Sequence, residues 1–339
     1  VRPCTPEARS PAMKRTTTTP AADYGSIFYN PFRGKWVQSI KQDSPRGRSR
    51  YYVESDRFLD GADWSKAVYW TNADRLDRPE PAGSYPGVTS EGDTPQLYSL
   101  AAVAYESLMI GMHQIHRGPD NRICDEGGFP KLTDLELGFS RDGFHWDRPD
   151  RRGFIRGERK EGAWDRAYLH TTTGVFVVLD DQLVFPYCAY SGDAGGGKGD
   201  IYGGGSIGLA TLRRDGFASM VGTGKLTTRL VKFSGRHLFV NAVGRLRVEV
   251  LDEAGKAIAV SETIAVDSTK QKIDLPGLDG LTGKPVRFRF HLEEGSLYAF
   301  WVSQDPGGAS GGYLGAGGPG YAGLKDDVVV KKKEKEKEK

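Results

Sequence analysis

Glu106 is a carboxylate in apolar company, within Ala101-Ala102-Val103-Ala104-Tyr105-Glu106-Ser107-Leu108-Met109-Ile110. A carboxylate in such a strand either faces a polar cavity or is buried at a cost that raises its pKa. A raised pKa suits a general acid that protonates a departing oxygen near neutral pH, as cleavage of a glycosidic bond requires. The alternatives are a Glu on the wet face of a strand or one paired with a core arginine. Asp165 stands in Gly162-Ala163-Trp164-Asp165-Arg166, entering a strand that carries Tyr168 and His170. Trp beside a carboxylate suits a sugar, since the indole packs on a pyranose face while the acid takes hydroxyls. An Asp capping backbone amides at a turn is the competing account. His170 either lines the same pocket or serves the strand structurally. Arg50, in the run Arg46, Arg48, Arg50, reads as facing inward to hold a carboxylate or hydroxyls, with the other two solvated.

Two further patterns resemble sites and fail on spacing. Gly192-Asp193-Ala194-Gly195-Gly196-Gly197-Lys198 has phosphate-loop spacing, but Gly199 replaces the required Ser or Thr and a strand follows instead of a helix. His113, His116 and Cys124 would share a metal only on a helix, because on a strand the two imidazoles point to opposite faces. No metal and no cofactor are expected.

These residues need a scaffold of turns and aromatic strands. The chain has 339 residues, among them 45 Gly, 15 Tyr and 15 Phe. That length accommodates two domains, and the balance is all-β. A net charge of +3, with both signs interspersed, argues against nucleic acid or a membrane surface as partner. Cys4, Cys124 and Cys188 are odd in number and widely spaced, which gives no disulfide framework. No apolar run has spanning length, and the first twenty residues carry no export signal.

Residues 1–23, with Pro3, Pro6, Pro11 and the Thr16–Thr19 run, read as a disordered leader. A first domain is expected over 24–225. Its clearest phrase is Ser140-Arg141-Asp142-Gly143-Phe144-His145-Trp146, an Asp-Gly turn between two strands, echoed at Arg213-Arg214-Asp215-Gly216-Phe217. Repeated hairpins of this kind mark sheet units stacked side by side, as in propeller blades. Gln96 to Ile115 reads as one or two buried strands. A second domain is placed at 226–303, where Leu246, Val248 and Val250 alternate with Arg247 and Glu249, and Val286, Phe288 and Phe290 alternate with Arg287 and Arg289. Period-two alternation with short turns describes a β-sandwich half exposed to water. Residues 304–339, rich in Gly and then in Lys and Glu, read as a disordered tail.

Phe28-Tyr29-Asn30-Pro31-Phe32, Gly47-Arg48-Ser49-Arg50-Tyr51, Tyr105-Glu106, the Ser140–Trp146 phrase and Gly162–Asp165 together resemble glycoside hydrolase families 32 and 43. The likeness runs from about Tyr24 to Val302. It implies a five-bladed β-propeller followed by a β-sandwich, with an axial pocket holding two Asp and a Glu that acts as acid. It also implies a secreted or periplasmic protein acting on an oligosaccharide or polysaccharide. On this resemblance Glu106 protonates the leaving oxygen, Asp165 or Asp93 is a second carboxylate, and Arg50, Tyr105, Trp164 and His170 bind sugar. Tyr24 to Asp215 leaves room for about four blades at roughly 40–50 residues each. The expectation is therefore a member shortened at its amino terminus, with one blade incomplete. Two other classes compete with the enzyme. One is a carbohydrate-binding propeller that lost a catalytic Asp with its first blade, and the other is a structural repeat domain.

Overall fold

The computed structural model describes residues 25–58, 63–89, 94–172, 174–193 and 199–327. The expected leader and Asp93 lie outside these residues, as does most of the glycine loop at 194–198. The described residues are nearly all strand or turn, and they divide into two compact units. One runs to Phe176 and includes Phe185–Ala210; the other joins Val177–Val184 to everything from Thr211 onward. This division falls after Ala210, where the sequence suggests a domain boundary at 225.

The first unit begins with an antiparallel meander of β1 (Ser26–Asn30), β2 (Lys35–Ser44), β3 (Gly47–Ser55) and β4 (Val68–Thr71). A second meander follows, of β5 (Gln96–Glu106), β6 (Leu108–Gly118) and β7 (Leu132–Ser140). The short helix α1 (Asn121–Gly127) lies between β6 and β7, capped by Asp120. The apolar run expected as one or two strands is therefore two. Both are buried on both faces, which is why they read as a continuous apolar stretch rather than an alternating one. Then come β8 (Tyr168–Thr171), β9 (Val177–Leu179), β10 (Gln182–Tyr190) and β11 (Gly205–Arg213), of which β9 and the start of β10 belong to the second unit, and β8, β10 and β11 are hydrogen-bonded in that order. One parallel pair, Thr133 with Tyr168, links β7 to β8. Among the described residues, β1 to β4 form one hydrogen-bonded sheet, and β5, β6, β7, β8, β10 and β11 belong to another.

The Asp142 turn is built by its own side chains. Asp142 Oδ1 accepts from the Phe144 and His145 amides at 2.8 and 2.9 Å and from Ser140 Oγ at 3.0 Å. Burial pushes this carboxyl up, but hydrogen bonds from His145 and these neighbours outweigh it and hold the group well below the usual carboxylate range. The expected strand at Phe144–Trp146 is irregular, because the chain spends those residues in the turn and regains pairing only at Phe139 with Asp147. Its aromatic rings still find partners. Phe144 packs on Tyr52 and Trp70, and Trp146 on Trp70 and His113. The phrase therefore ties the first meander to the second.

The second unit holds β12 (Met220–Thr227), β13 (His237–Leu251), β14 (Ala257–Val260), β15 (Ile264–Ile273), β16 (Arg287–Ser303) and β17 (Tyr313–Leu314). The central strand β13 pairs antiparallel with β14, β15 and β16, and β12 borders β16. Hydrogen bonding joins β12 to β16 into one five-stranded sheet, where the sequence suggests a sandwich. The alternation follows the pleat as expected: Val248, Phe288 and Phe290 are buried, while Arg247, Glu249 and Arg289 are half-exposed. Glu249 takes contacts from Arg247 on its own strand and from Arg289 and His291 on the neighbouring one. A bulge interrupts β13 near Gly244, whose φ of 103° and close approach to Gly295 admit no side chain.

The expected tail needs correcting up to residue 327. Leu314 is fully buried, Gly311 and Leu314 donate to the Asp326 and Leu324 carbonyls, and Arg214 pairs with Asp326 at 3.2 Å. Glycine-rich composition here serves tight turns, not disorder.

Candidate functional site

Of the residues singled out from the sequence, Trp164 and Asp165 keep together, His170 lies on the other face of its strand pair, and Asp93 is outside the described residues. Glu106 ends β5 at the hairpin turn into β6, with φ of 48° and Tyr105 paired to Leu108 across it. The chain reverses there, so Glu106 does not interrupt a strand as its apolar flanks suggest. Tyr105 is buried and packs edge-on against Phe176 at 5.3 Å, a core contact. Arg50 does face inward, fully buried, but its guanidinium serves the scaffold. Nε donates to Ser39 Oγ at 2.9 Å, Nη1 to the Tyr98 carbonyl at 3.0 Å, and Nη2 to the Ser39 carbonyl.

Trp164 and Asp165 do stay together and gain a third member, Tyr187 of β10. Trp164 is 41% exposed, and its ring lies 5.7 Å from that of Tyr187 at a tilt of 39°. Behind it Gly208 of β11 leaves room, since a Cβ there would overlap both rings. The Asp165 side chain is buried, with Oδ2 at 3.5 Å from the Tyr187 hydroxyl and Oδ1 lacking any hydrogen-bond partner. This leaves a buried carboxylate oxygen with spare acceptor capacity in the residue next to an exposed indole.

His170 belongs elsewhere. On the β8–β10 ladder Tyr168 faces Tyr190 and His170 faces Cys188, whereas Tyr187 faces Thr171. Successive strand residues alternate faces, so His170 and the Trp164–Asp165–Tyr187 group lie on opposite sides of the hairpin. His170 packs with Tyr98, Tyr168 and Tyr190.

A buried ion network supports the segment leading to Trp164, and nothing in the sequence reading anticipated it. Asp134 and Glu136 project from one face of β7. Arg117 bridges them at 2.9 and 2.6 Å, Arg148 joins Glu136 to Asp77 at 3.0 and 2.6 Å, and Arg159 joins Asp134 to Glu80 at 2.7 and 2.8 Å. Burial pushes Glu136 up to about 7 against the pull of Arg117 and Arg148. Arg159 adopts φ of 58°, and its amide donates to the Arg166 carbonyl, which folds 157–166 back on itself and presents Trp164. The signal was present in Leu132-Thr133-Asp134-Leu135-Glu136-Leu137, where two acids alternate with leucines. All of these carboxylates are engaged by arginine, which makes the network a scaffold.

His113 and His116 sit on β6 and face opposite ways, His113 toward Trp146 and His116 toward Tyr98. Among the described residues no group of His, Cys, Asp and Glu is arranged to hold a metal, and no helix is long and apolar enough to cross a membrane. The described part of the glycine loop turns directly into β11.

No protein-family model matches the chain, and no curated protein matches it. Among solved structures it is similar to a glycoside hydrolase family 43 arabinoxylan arabinofuranohydrolase from Bacillus subtilis. That match has 12% identity over 83% of this chain and 66% of that one, with a TM-score of 0.33. A family 117 glycoside hydrolase from Zobellia galactanivorans matches at 14% identity over 86% and 72% of the two chains, with a TM-score of 0.34. A family 32 β-fructofuranosidase from Bombyx mori matches at 10% over 82% and 65%, with a TM-score of 0.28. The chain spans about two thirds of the length of these proteins. At this level of likeness neither blade number nor site residues carry over, and the solved structures to which the chain is similar are, by name, glycoside hydrolases.

Proposed function

We propose that the chain acts on a carbohydrate as a glycoside hydrolase, with Trp164, Asp165 and Tyr187 as the sugar-facing group. The observation that supports this is the pairing of an exposed indole with a buried carboxylate whose Oδ1 has no hydrogen-bond partner. A pyranose stacked on Trp164 would bring a hydroxyl to that oxygen and satisfy it. Hydrolysis needs a second carboxyl group, one to protonate the leaving oxygen and one to act as base or nucleophile. In this reading Glu106 or Asp93 supplies it, with Arg50, Tyr105 and His170 left to structural work. The turn position of Glu106 favours a second reading, a carbohydrate-binding protein without turnover, in which no acid is needed.

Activity on a panel of aryl glycosides, together with calorimetric binding of neutral oligosaccharides, separates the two. The hydrolase reading expects turnover that Asp165→Asn and Glu106→Gln each reduce at least tenfold while binding survives in Glu106→Gln, because Gln cannot deliver a proton. Turnover unimpaired in Glu106→Gln removes that residue from the mechanism. Binding without turnover, lost in Trp164→Ala, selects the second reading. Neither binding nor turnover in the wild type would sink both.

A further inference from the structure

The core of the second unit is incomplete along its edge strand. β12 runs antiparallel to β16, with Met220 opposite Leu297, Gly224 opposite Leu292 and Leu226 opposite Phe290. Residues directly opposite share a face. Positions 220, 224 and 226 therefore lie on the face of Phe290, Leu292 and Leu297, all three of them core residues. The middle position of that row brings no side chain. A Cβ at Gly224 would meet nothing within 4 Å, and neither would one at Gly222. Protein interiors are otherwise close-packed. Here a cleft of about 210 Å³ remains, lined by Met220, Leu226, Phe290, Leu292 and Leu297 along the glycine backbone of β12.

The lining selects the chemistry of an occupant. Met220 is exposed and stands at the mouth, whereas Phe290, Leu292 and Leu297 are buried and form the inner wall. The two polar side chains nearby are turned away or engaged. Lys225 pairs with His291 on the opposite face, and Thr223 Oγ1 already accepts from the Glu294 amide at 2.9 Å. A sugar placed here would bury hydroxyls without partners, at a cost, while an apolar ring gains by leaving water. The unbranched thioether of Met220 adapts to flat rings. Benzene enters an engineered apolar cavity of about 150 Å³, so the larger volume of this cleft suits a bicyclic ring.

We infer that this cleft binds a small aromatic molecule of the size of indole, held between Met220 and the row of Phe290, Leu292 and Leu297, with Gly224 keeping the space open. The inference stands on the second unit alone and does not depend on the Trp164 group.

Methyl-labelled methionine NMR of the full chain tests it. Of the four methionines, Met109 and Met112 are buried, Met13 lies outside the described residues, and Met220 is 56% exposed at the cleft. Indole should shift the Met220 methyl signal with a Kd below about 1 mM and leave Met109 and Met112 unmoved. Glucose should shift none of them. Gly224, unlike Gly222 at φ of 121°, does not adopt a positive φ, so Gly224→Val fills the space with a strand-favouring side chain. That variant should raise the urea midpoint of the second unit and weaken indole at least tenfold. Met220→Lys, at an exposed position that keeps the fold, should weaken indole several-fold by calorimetry. No shift of Met220 with indole, or full affinity in both variants, would overturn the assignment. An equal response to glucose would overturn the apolar character given to the ligand. A Met220 signal that moves with protein concentration in the absence of indole would place a second copy in the cleft, and would overturn it as well.

Discussion

Glu136→Gln isolates the cost of keeping a carboxylate inside the arginine network, and that cost depends on pH in a direction the structure specifies. Glu136 is fully buried between Arg117 at 2.6 Å and Arg148 at 3.0 Å, and burial displaces it from 4.5 to about 7. Below pH 4.5 the carboxyl is protonated in folded and unfolded chains alike and adds nothing to the pH dependence. Between 4.5 and about 7 the unfolded chain releases the proton while the folded chain retains it, so folding loses stability as pH rises. Above that window both states are ionised and the full penalty holds. A displacement of about 2.5 at roughly 1.36 kcal/mol per pH unit amounts to about 3 kcal/mol. Gln has the size of Glu and does not titrate. Wild type should therefore lose about 3 kcal/mol relative to Glu136→Gln on passing from below pH 4.5 to above pH 7. Urea unfolding read by peptide-resolved hydrogen exchange over β6 and β7 confines the measurement to the first unit. A wild-type advantage that instead grows with pH would show that the two arginine contacts outweigh desolvation, and would refute the reasoning.

Other expectations are more direct. Phe288→Ala should cost roughly 3–5 kcal/mol in urea unfolding of the second unit, since the ring is 1% exposed and touches Phe233, Phe290 and Phe300. A loss below ~1 kcal/mol would mean that the site collapses around the gap. Gly208→Ala places a methyl group against Trp164 and Tyr187, so it should weaken neutral oligosaccharide binding while leaving the second unit's unfolding unchanged. Unaltered binding in that variant would remove Trp164 from the sugar face. Asp142→Ala strips the turn of acceptors for two amides and for Ser140, and should destabilise the first unit by about 1–3 kcal/mol. Tryptophan fluorescence would report it through Trp70 and Trp146.

The sequence by itself determined the features that are read along one strand or one turn. Alternation in β13 and β16 placed Val248, Phe288 and Phe290 inside, because the pleat sends successive side chains to opposite faces whatever the partner strand. The Asp142 turn was legible for the same reason: its acceptor and its donors lie within a few residues. Trp164 and Asp165 were legible as a pair because they are neighbours. Tertiary structure decided the rest. Glu106 looked like a strand carboxylate until pairing of Tyr105 with Leu108 placed the reversal at that residue. Asp77, Glu80, Asp134 and Glu136 meet Arg117, Arg148 and Arg159 across up to 79 residues of chain, and no local pattern encodes those partners. His170 parted from Asp165 on the register of β8 against β10. Periodicity is a property of one strand, whereas the meeting of charges depends on the register between strands, and a shift of one residue would exchange every face.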